Sequence, residues 1–291
     1  MSLKPPNPQR RLRGVILISV AVMLFAVMDA ISKYLTRFYP VTNILWARYL
    51  AHTVLIVVVL GPRIGWRLVR TARPGIQILR GILLPISSLF FVVAVKYMPI
   101  AEASSITFIS PMIVTAMSVV FLKEKVGRSH GLAILSGFLG VLIIIRPGTG
   151  VFAWASLLPL GCALTMSSYQ ILTRRIAGLE NVYTSIFYAG FIGLLLLSLT
   201  LPFAWTPPQS ALHVALLGLS GMVGASSHLI LIKAYDYASA SRLAPFTYSQ
   251  LVWVTAIGYF VFGNFPDFWS LIGITILAAG GIYLATHLRR S

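Results

Sequence analysis

Apolar stretches of about twenty residues, each long enough to cross a bilayer, recur from one end of this 291-residue chain to the other. The hydrocarbon core tolerates no unsatisfied backbone group, so a chain of this pattern must span it as helices. Composition agrees: 58% of residues are hydrophobic and 10% charged, against roughly a quarter charged in a soluble domain. No stretch remains for a separate soluble domain. Arg10, Arg11 and Arg13 precede the first apolar run, as basic residues precede the core of a secretory signal. That run continues to Tyr34 and nine more follow, so it reads as the first spanning helix.

The pattern predicts ten spans, near 14–35, 43–60, 77–97, 101–121, 130–146, 151–172, 182–201, 211–234, 242–262 and 268–287. Short connections with turn signals separate them: Tyr39-Pro40, Gly61-Pro62, Met98-Pro99, Arg146-Pro147-Gly148, Pro207-Pro208 and Phe265-Pro266. The net charge of +17 belongs to these connections rather than to a nucleic-acid surface. With the N-terminus inside, eighteen Lys and Arg fall on the inner side, Arg80 among them, and Lys33, Arg37, Lys96 and Arg146 on the outer. Arg48 lies within a span. This bias predicts cytoplasmic termini. The single cysteine, Cys162, excludes a disulfide or thiolate metal site within one chain.

The segment Ala94–Lys125 holds a polar hinge (Lys96 to Glu102), a hydroxyl-dotted apolar run with Pro111, and the basic stop Lys123-Glu124-Lys125. It echoes 140 residues later: Ala94 matches Ala234, Tyr97 matches Tyr237, Thr107 matches Thr247, and Thr115-Ala116 matches Thr255-Ala256. Five spans per copy is an odd number, so the second copy enters the membrane from the opposite side. The expected fold is therefore an all-α polytopic membrane protein, ten transmembrane helices as two five-helix inverted repeats, residues 1–148 and 149–291. Halves so related suit alternating access. Lys96 and Glu102 would then line the outer mouth, and Lys233, Asp236 and Arg242 the inner one.

The first helix ends FAVMDAISKYL, the second opens ILWARY, and the fourth reads AEASSITFISPMIVTAMSVVFLKEK. The first half closes on GVLIIIRPG, and the second carries APFTYSQLVWVTAIGYFVFGN. Over nearly the whole chain these segments resemble the EamA-type branch of the drug/metabolite transporter superfamily. The resemblance implies a ten-helix carrier, often an exporter of amino acids, with a cavity formed by helices 3, 4, 8 and 9, helped by 1 and 6. Within the family the pattern is most similar to exporters of aromatic and neutral amino acids. FAVMDAISKYL is also similar to members assigned to S-adenosylmethionine uptake. Two departures stand out. Gln250-Leu251 occupies the place of a Glu-Pro pair, and Gly263-Asn264 that of Gly-Glu. Both remove a carboxylate from helix 9, which puts in doubt any coupling scheme that needs an acid there.

An ionisable group at the membrane centre costs roughly 2.5–3.5 kcal/mol on insertion scales, so each needs a reason. Asp29 and Lys33 are spaced i,i+4; they either neutralise each other or leave Asp29 to titrate or bind an amine. Arg48 either snorkels to headgroups or packs against Asp29. Glu102 opens a helix, pairs with Lys96, and is a gate candidate. His228, beside Ser226 and Ser227, is either a helix-to-helix hydrogen bonder or a cavity group, and His52 is less central. Thr107, Ser110, Tyr248, Ser249 and Gln250 form the polar core of the repeated unit. Pro85 and Pro111 free backbone carbonyls near mid-span, which puts Ser87 and Ser88 among the pocket candidates. Met28, Trp46, Phe90, Trp154, Tyr169 and Trp253 offer walls. The predicted substrate site is thus Met28, Pro85, Ser88, Thr107, Ser110, Tyr169, His228, Tyr248 and Gln250, gated by Asp29, Lys33, Lys96 and Glu102.

No phosphate loop, His-Glu metal motif or serine elbow occurs, which argues against an integral membrane enzyme and against any cofactor or metal. A scaffold or sensor would not need the repeat. The expected partners are the lipid bilayer and a small molecule such as an amino acid, with no nucleic acid. Ten spans suffice to enclose a path within one chain, so a monomer is expected, in a bacterial inner membrane.

Overall fold

The computed structural model describes residues 8–121, 128–147, 154–176, 178–238 and 240–287. All their regular structure is helical. The elements are α1 (Pro8–Leu35), α2 (Val41–Ile64), α3 (Pro74–Tyr97), α4 (Ile100–Thr107), α5 (Ser110–Phe121), α6 (Arg128–Ile145) and α7 (Leu157–Ile176). They continue with α8 (Val182–Ser198), the single turn α9 (Leu201–Ala204), α10 (Ala211–Tyr235), α11 (Ala240–Thr247), α12 (Ser249–Phe262) and α13 (Phe268–His287). Six segments are long and apolar enough to cross a membrane: 12–35, 41–68, 74–97, 100–121, 154–176 and 211–235. Three shorter apolar helices, Ile134–Ile145, Val182–Ser198 and Phe268–Tyr283, join them. With α11 and α12 in line, this makes about ten crossings. The basic stop at Lys123–Lys125 and the expected boundary at Gly148 lie outside the described residues.

Two predicted spans are broken rather than continuous. Pro111 cannot donate to the carbonyl of Thr107, and the helix parts there into α4 and α5. Ser110 repairs the loss, its Oγ donating to Thr107 O at 2.8 Å. The second break, between α11 and α12, falls at Tyr248, 140 residues after Phe108 in the first. The two rings meet with centroids 5.2 Å apart, and α4 packs on α12. Pro85, expected to open a cavity in the same way, does not. It is buried within an unbroken α3, whose next face packs on α8.

Helices of the two halves pair across the molecule: α1 on α10, α3 on α7 and α8, α2 on α10, and α6 on α13. Without a hydrophobic force between helices in lipid, such contacts rest on close approach of small residues. At Gly221 in α10, a Cβ would lie 2.2 Å from the carbonyl oxygen of Arg48 in α2. Only glycine fits, and the backbone of α10 thereby presses against the helix that carries Arg48.

At the end where α1 terminates, the elements are tied together. There α1 meets α3 and α4, and α4 meets α12 and α13. At the other end, Gly14 of α1 packs against Tyr237, Ala238 and Leu243, while α3 packs with α7 and α8. Across that end, α3 and α7 make at most marginal contact with α10 and α11. Among the described residues the two groups are separate at that end and joined near the end of α1, and the space between them is here termed the cleft.

Gly221→Ala should lower the melting temperature in detergent, by overpacking worth roughly 1–3 kcal/mol. Gly218→Ala, whose Cβ meets nothing within 4 Å, should leave it unchanged or raise it. Equal melting temperatures for the two variants would contradict this account of the α2–α10 contact.

Candidate functional site

The cleft ends at a group of buried polar side chains. Asp29 of α1 is 7% exposed, as is Arg48 of α2. The guanidinium of Arg48 donates to Ser32 Oγ, which itself donates to Met28 O at 2.8 Å. Arg48 Nε has no partner. Asp29 makes no hydrogen bond or ion pair with a described residue, yet it lies within electrostatic range of both Arg48 and Cys162 of α7. Two opposite charges thus stand near each other, buried and unpaired. Isolated burial of either charge is expensive, and the expense falls only if something bridges them.

Further polar groups surround this pair. Tyr49 Oη and Ser88 Oγ lie 3.0 Å apart. Ser87 of α3 donates to Cys162 O at 3.2 Å. Thr107 donates to Ala103 O at 3.0 Å within its own helix and also reaches Cys162. His228 of α10 stacks edge-on with Phe25 at 4.9 Å and lies 6.0 Å from His52. His52 is buried, 7% exposed with Nε2 unpartnered, so the two histidines share one level and His52 is as central as His228. Gln250 of α12 is half-buried and makes no hydrogen bond to a described residue.

Several predicted site residues make packing contacts between helices. Met28 lies with its Sδ against Gly224 of α10. Ser110 is 5% exposed, and besides Thr107 O it donates to Ala163 O at 3.3 Å, tying α5 to α7. Tyr248 is 6% exposed and points its hydroxyl at Gly281 of α13. Pro85 is buried as described. Of the predicted substrate residues, Met28, Ser88, Thr107, Tyr169, His228 and Gln250 are half-buried.

The predicted charge pairs do not form. Lys33 turns away from Asp29 and donates to Val95 O at 2.8 Å and Met98 O at 2.7 Å. The last carbonyls of a helix lack helical donors and carry its partial negative charge, so a cation there satisfies both needs. Phe262 of α12 covers the same ammonium, with its ring centre 5.5 Å away. Lys96 lies 5.5 Å over the ring of Tyr97 rather than on Glu102. Glu102 accepts from Ser270 Oγ of α13 at 3.3 Å. Arg48 does not snorkel; the close crossing at Gly221 keeps it inside.

Beyond α1, the closed end carries an ion pair between described residues. Arg146 binds Asp267 at 2.5 Å, and Asp267 also caps α13 by accepting from Ser270 N at 2.8 Å. Partial burial pushes the Asp267 carboxyl up, but the Ser270 N–H and the Arg146 guanidinium outweigh it and hold the group below its ordinary value. A lowered folded pKa stabilises above the free Asp value, about 3.9, and the contribution is lost as the pH falls through the folded value.

One network was not legible in the sequence. Arg80, counted there among the inner basic residues, is 2% exposed inside α3. It donates to Thr173 Oγ1 at 2.9 Å, Gln77 Oε1 at 2.8 Å and Tyr169 Oη at 3.0 Å. Gln77 in turn donates to Ser185 Oγ of α8 at 3.0 Å. The spacing of Gln77 and Arg80, three residues apart inside an apolar run, was the available signal. The network fixes Tyr169, one wall of the cleft, from behind.

The EamA-like transporter family model matches twice, over residues 12–146 and 153–286. The chain belongs to that family. This EamA-like protein is a secondary transporter of small metabolites, not an enzyme, and a multi-pass membrane protein. It is 29% identical to the riboflavin transporter of Vibrio cholerae over 274 residues, 91% of this chain and 90% of that one. It is 24% identical to an S-adenosylmethionine uptake transporter of Rickettsia prowazekii, over 96% of this chain and 95% of that one. A pseudopaline exporter of Pseudomonas aeruginosa is 25% identical over 94% and 95%. A solved crystal structure superposes with a TM-score of 0.67 at 19% identity, covering 95% of this chain and 98% of that one, which shows the shared fold.

Lys33→Met should loosen the closed end, since bonds from a charged donor are worth about 1.5–3 kcal/mol each. In a Cys162→Ala background, Met98→Cys should react faster with a charged maleimide once Lys33 is replaced. An unchanged rate would show that Lys33 does not hold this end. Separately, Asp267→Asn should lower the melting temperature at pH 7, and the difference should shrink as the pH falls below the free Asp value; a difference that grows in acid would contradict a lowered Asp267.

Proposed function

We propose that this transporter moves zwitterionic metabolites with an amino-acid head, neutral and aromatic amino acids foremost, across a bacterial inner membrane. Residues 1–148 and 149–291 act as inverted five-helix halves that expose one cavity to each side in turn, in a monomer with both termini cytoplasmic. One observation carries the reading: Asp29 and Arg48 are opposite charges, buried at the end of the cleft, near each other and unpaired. A zwitterion supplies both partners at once, its ammonium to Asp29 and its carboxylate to Arg48. Each then becomes a charge-assisted hydrogen bond of the stronger kind. Tyr49, Ser88 and Gln250 offer neutral hydrogen bonds beside them, and Phe25, Phe108 and Tyr169 offer ring faces to an aromatic side chain.

Export is the direction that fits. The bias of the basic residues supports a cytoplasmic terminal end, and the two helix groups are separate at that end, so in this reading substrate loads from inside. Outward opening requires Lys33 to leave the carbonyls of α3 and the contact of α4 with α12 to part. The breaks at Phe108 and Tyr248, which meet each other, are the natural pivots. A second reading, uptake of S-adenosylmethionine, rests on the Rickettsia prowazekii relative and on FAVMDAISKYL, and it uses the same amino-acid head.

The test is flux of labelled neutral and aromatic amino acids into proteoliposomes, with S-adenosylmethionine in parallel. Amino-acid flux is expected, falling roughly tenfold or more in Asp29→Asn, in line with loss of a charged hydrogen bond. Flux of S-adenosylmethionine alone would establish the second reading. Flux of neither, from protein that remains folded, would overturn both.

A further inference from the structure

The end of α2 and its connection to α3 carry Arg63, Arg67, Arg70 and Arg73, with Trp66 among them. The connection joins two membrane spans, 41–68 and 74–97, so it lies at a membrane surface. The chain leaves α2 at Gly65, where φ is 59°, a left-handed turn that glycine makes without strain. A 3₁₀ turn, Gly65–Leu68, follows.

The backbone here is held from the protein side. Leu68 is 4% exposed and packs with Ile56, Leu60 and Phe187. Thr184 Oγ1 of α8 donates to Arg67 O at 3.0 Å, and Tyr188 Oη of α8 donates to Val69 O at 3.0 Å. Just before α8, Glu180 Oε1 accepts from Ala72 N at 2.8 Å and Arg73 N at 2.9 Å. The side chains do the opposite. All four arginines are exposed, and Trp66 is 80% exposed. None of the four guanidinium groups makes an ion pair or hydrogen bond with a described residue. The neighbouring acid, Glu180, has an oxygen already taken by backbone N–H groups.

Orienting the chain in the membrane needs only the charge of such a connection. It needs neither a braced backbone nor an indole at the same level, and these point to a ligand at the membrane surface. Four or more basic residues beside a span attract anionic headgroups, by about 1 kcal/mol each. The guanidinium fork matches a phosphate with two parallel hydrogen bonds, and indoles collect at headgroup depth.

We propose that the α2–α3 connection is a docking surface for anionic phospholipid, whose phosphates the four arginines bind while Trp66 enters the headgroup layer. The surface is braced on α8 and leads into α3, and both belong to the same side of the cleft. Lipid therefore fixes that side to the membrane surface. On the other side, Lys233 at the end of α10 is bound to Asp236 at 2.9 Å.

Native mass spectrometry of the full-length protein, released from detergent after equilibration with chain-matched lipids, tests this. Phosphatidylglycerol should be retained over phosphatidylcholine by on the order of tenfold or more, each arginine contributing up to about fivefold. Replacing Arg63, Arg67, Arg70 and Arg73 together by Gln should abolish that preference, and Arg67→Gln with Arg70→Gln should remove part of it. Trp66→Ala should lower retention of both lipids and leave their ratio unchanged. Replacing Arg10, Arg11 and Arg13 by Gln should change the ratio far less than the fourfold variant does. Equal retention of the two lipids by the unmodified protein would overturn the proposal. So would a preference that survives the fourfold variant, or an equal loss per charge from the N-terminal variant, which would assign the effect to net charge.

Discussion

A carbonyl without a donor is tolerable in water and expensive in hydrocarbon, and most of this molecule is arranged around that constraint. Pro111 removes a donor, and Ser110 replaces it from the side. The helix α3 ends beneath the surface, and the ammonium of Lys33 reaches over from α1 to its free carbonyls. Hydroxyls elsewhere satisfy their own helices, as Ser105 does on Ala101 and Thr115 on Pro111. Each repair also joins two elements or marks a place where one can bend. The closed end and the pivots near mid-membrane are consequences of how the backbone is kept satisfied.

Other buried side-chain atoms also lack partners among the described residues, Ser104 Oγ and Tyr248 Oη among them, but the centre gathers charged groups in that state. Asp29, Arg48 and His52 are buried, yet none is fully partnered within the described residues. Structural charges elsewhere in the molecule do find partners: Arg80 has three, and Arg146 has Asp267. The contrast assigns different jobs. Arg80 holds α3, α7 and a wall tyrosine in place, while Asp29 and Arg48 are left with capacity for something that comes and goes. The zwitterion proposed as substrate would answer both needs, without any carboxylate in α11 or α12.

The sequence displayed the spans, their turns and the doubled EamA pattern, because apolar length and punctuation are local properties. The two breaks were not read from it: both spans were expected to be continuous, although Pro111 marked a freed carbonyl near the first. Side-chain direction was not legible. The i,i+4 spacing that made Asp29 and Lys33 a pair is a statement about one helix, and the end of α3 competed for Lys33 and won. Ser110 and Tyr248 looked available as hydroxyls in apolar runs, yet Ser110 bonds to α7, and Tyr248 packs against Gly281 of α13 with its hydroxyl unpartnered. Arg80 was read as an inner-surface cation because most basic residues are, and Arg48, placed within a span, was left between snorkelling and packing against Asp29. Only a close crossing such as Gly221 on Arg48, invisible without the partner helix, keeps such a group inside.

The central claim is that Asp29 holds the ammonium and Arg48 the carboxylate of one substrate. Half-substrates separate the two roles. Phenethylamine carries only the amine and phenylpropionate only the acid, and each can be titrated as a competitor of phenylalanine flux. If the claim holds, Asp29→Asn weakens competition by the amine and leaves the acid unchanged, while Arg48→Gln does the reverse. Equal effects of each variant on both half-substrates would contradict it.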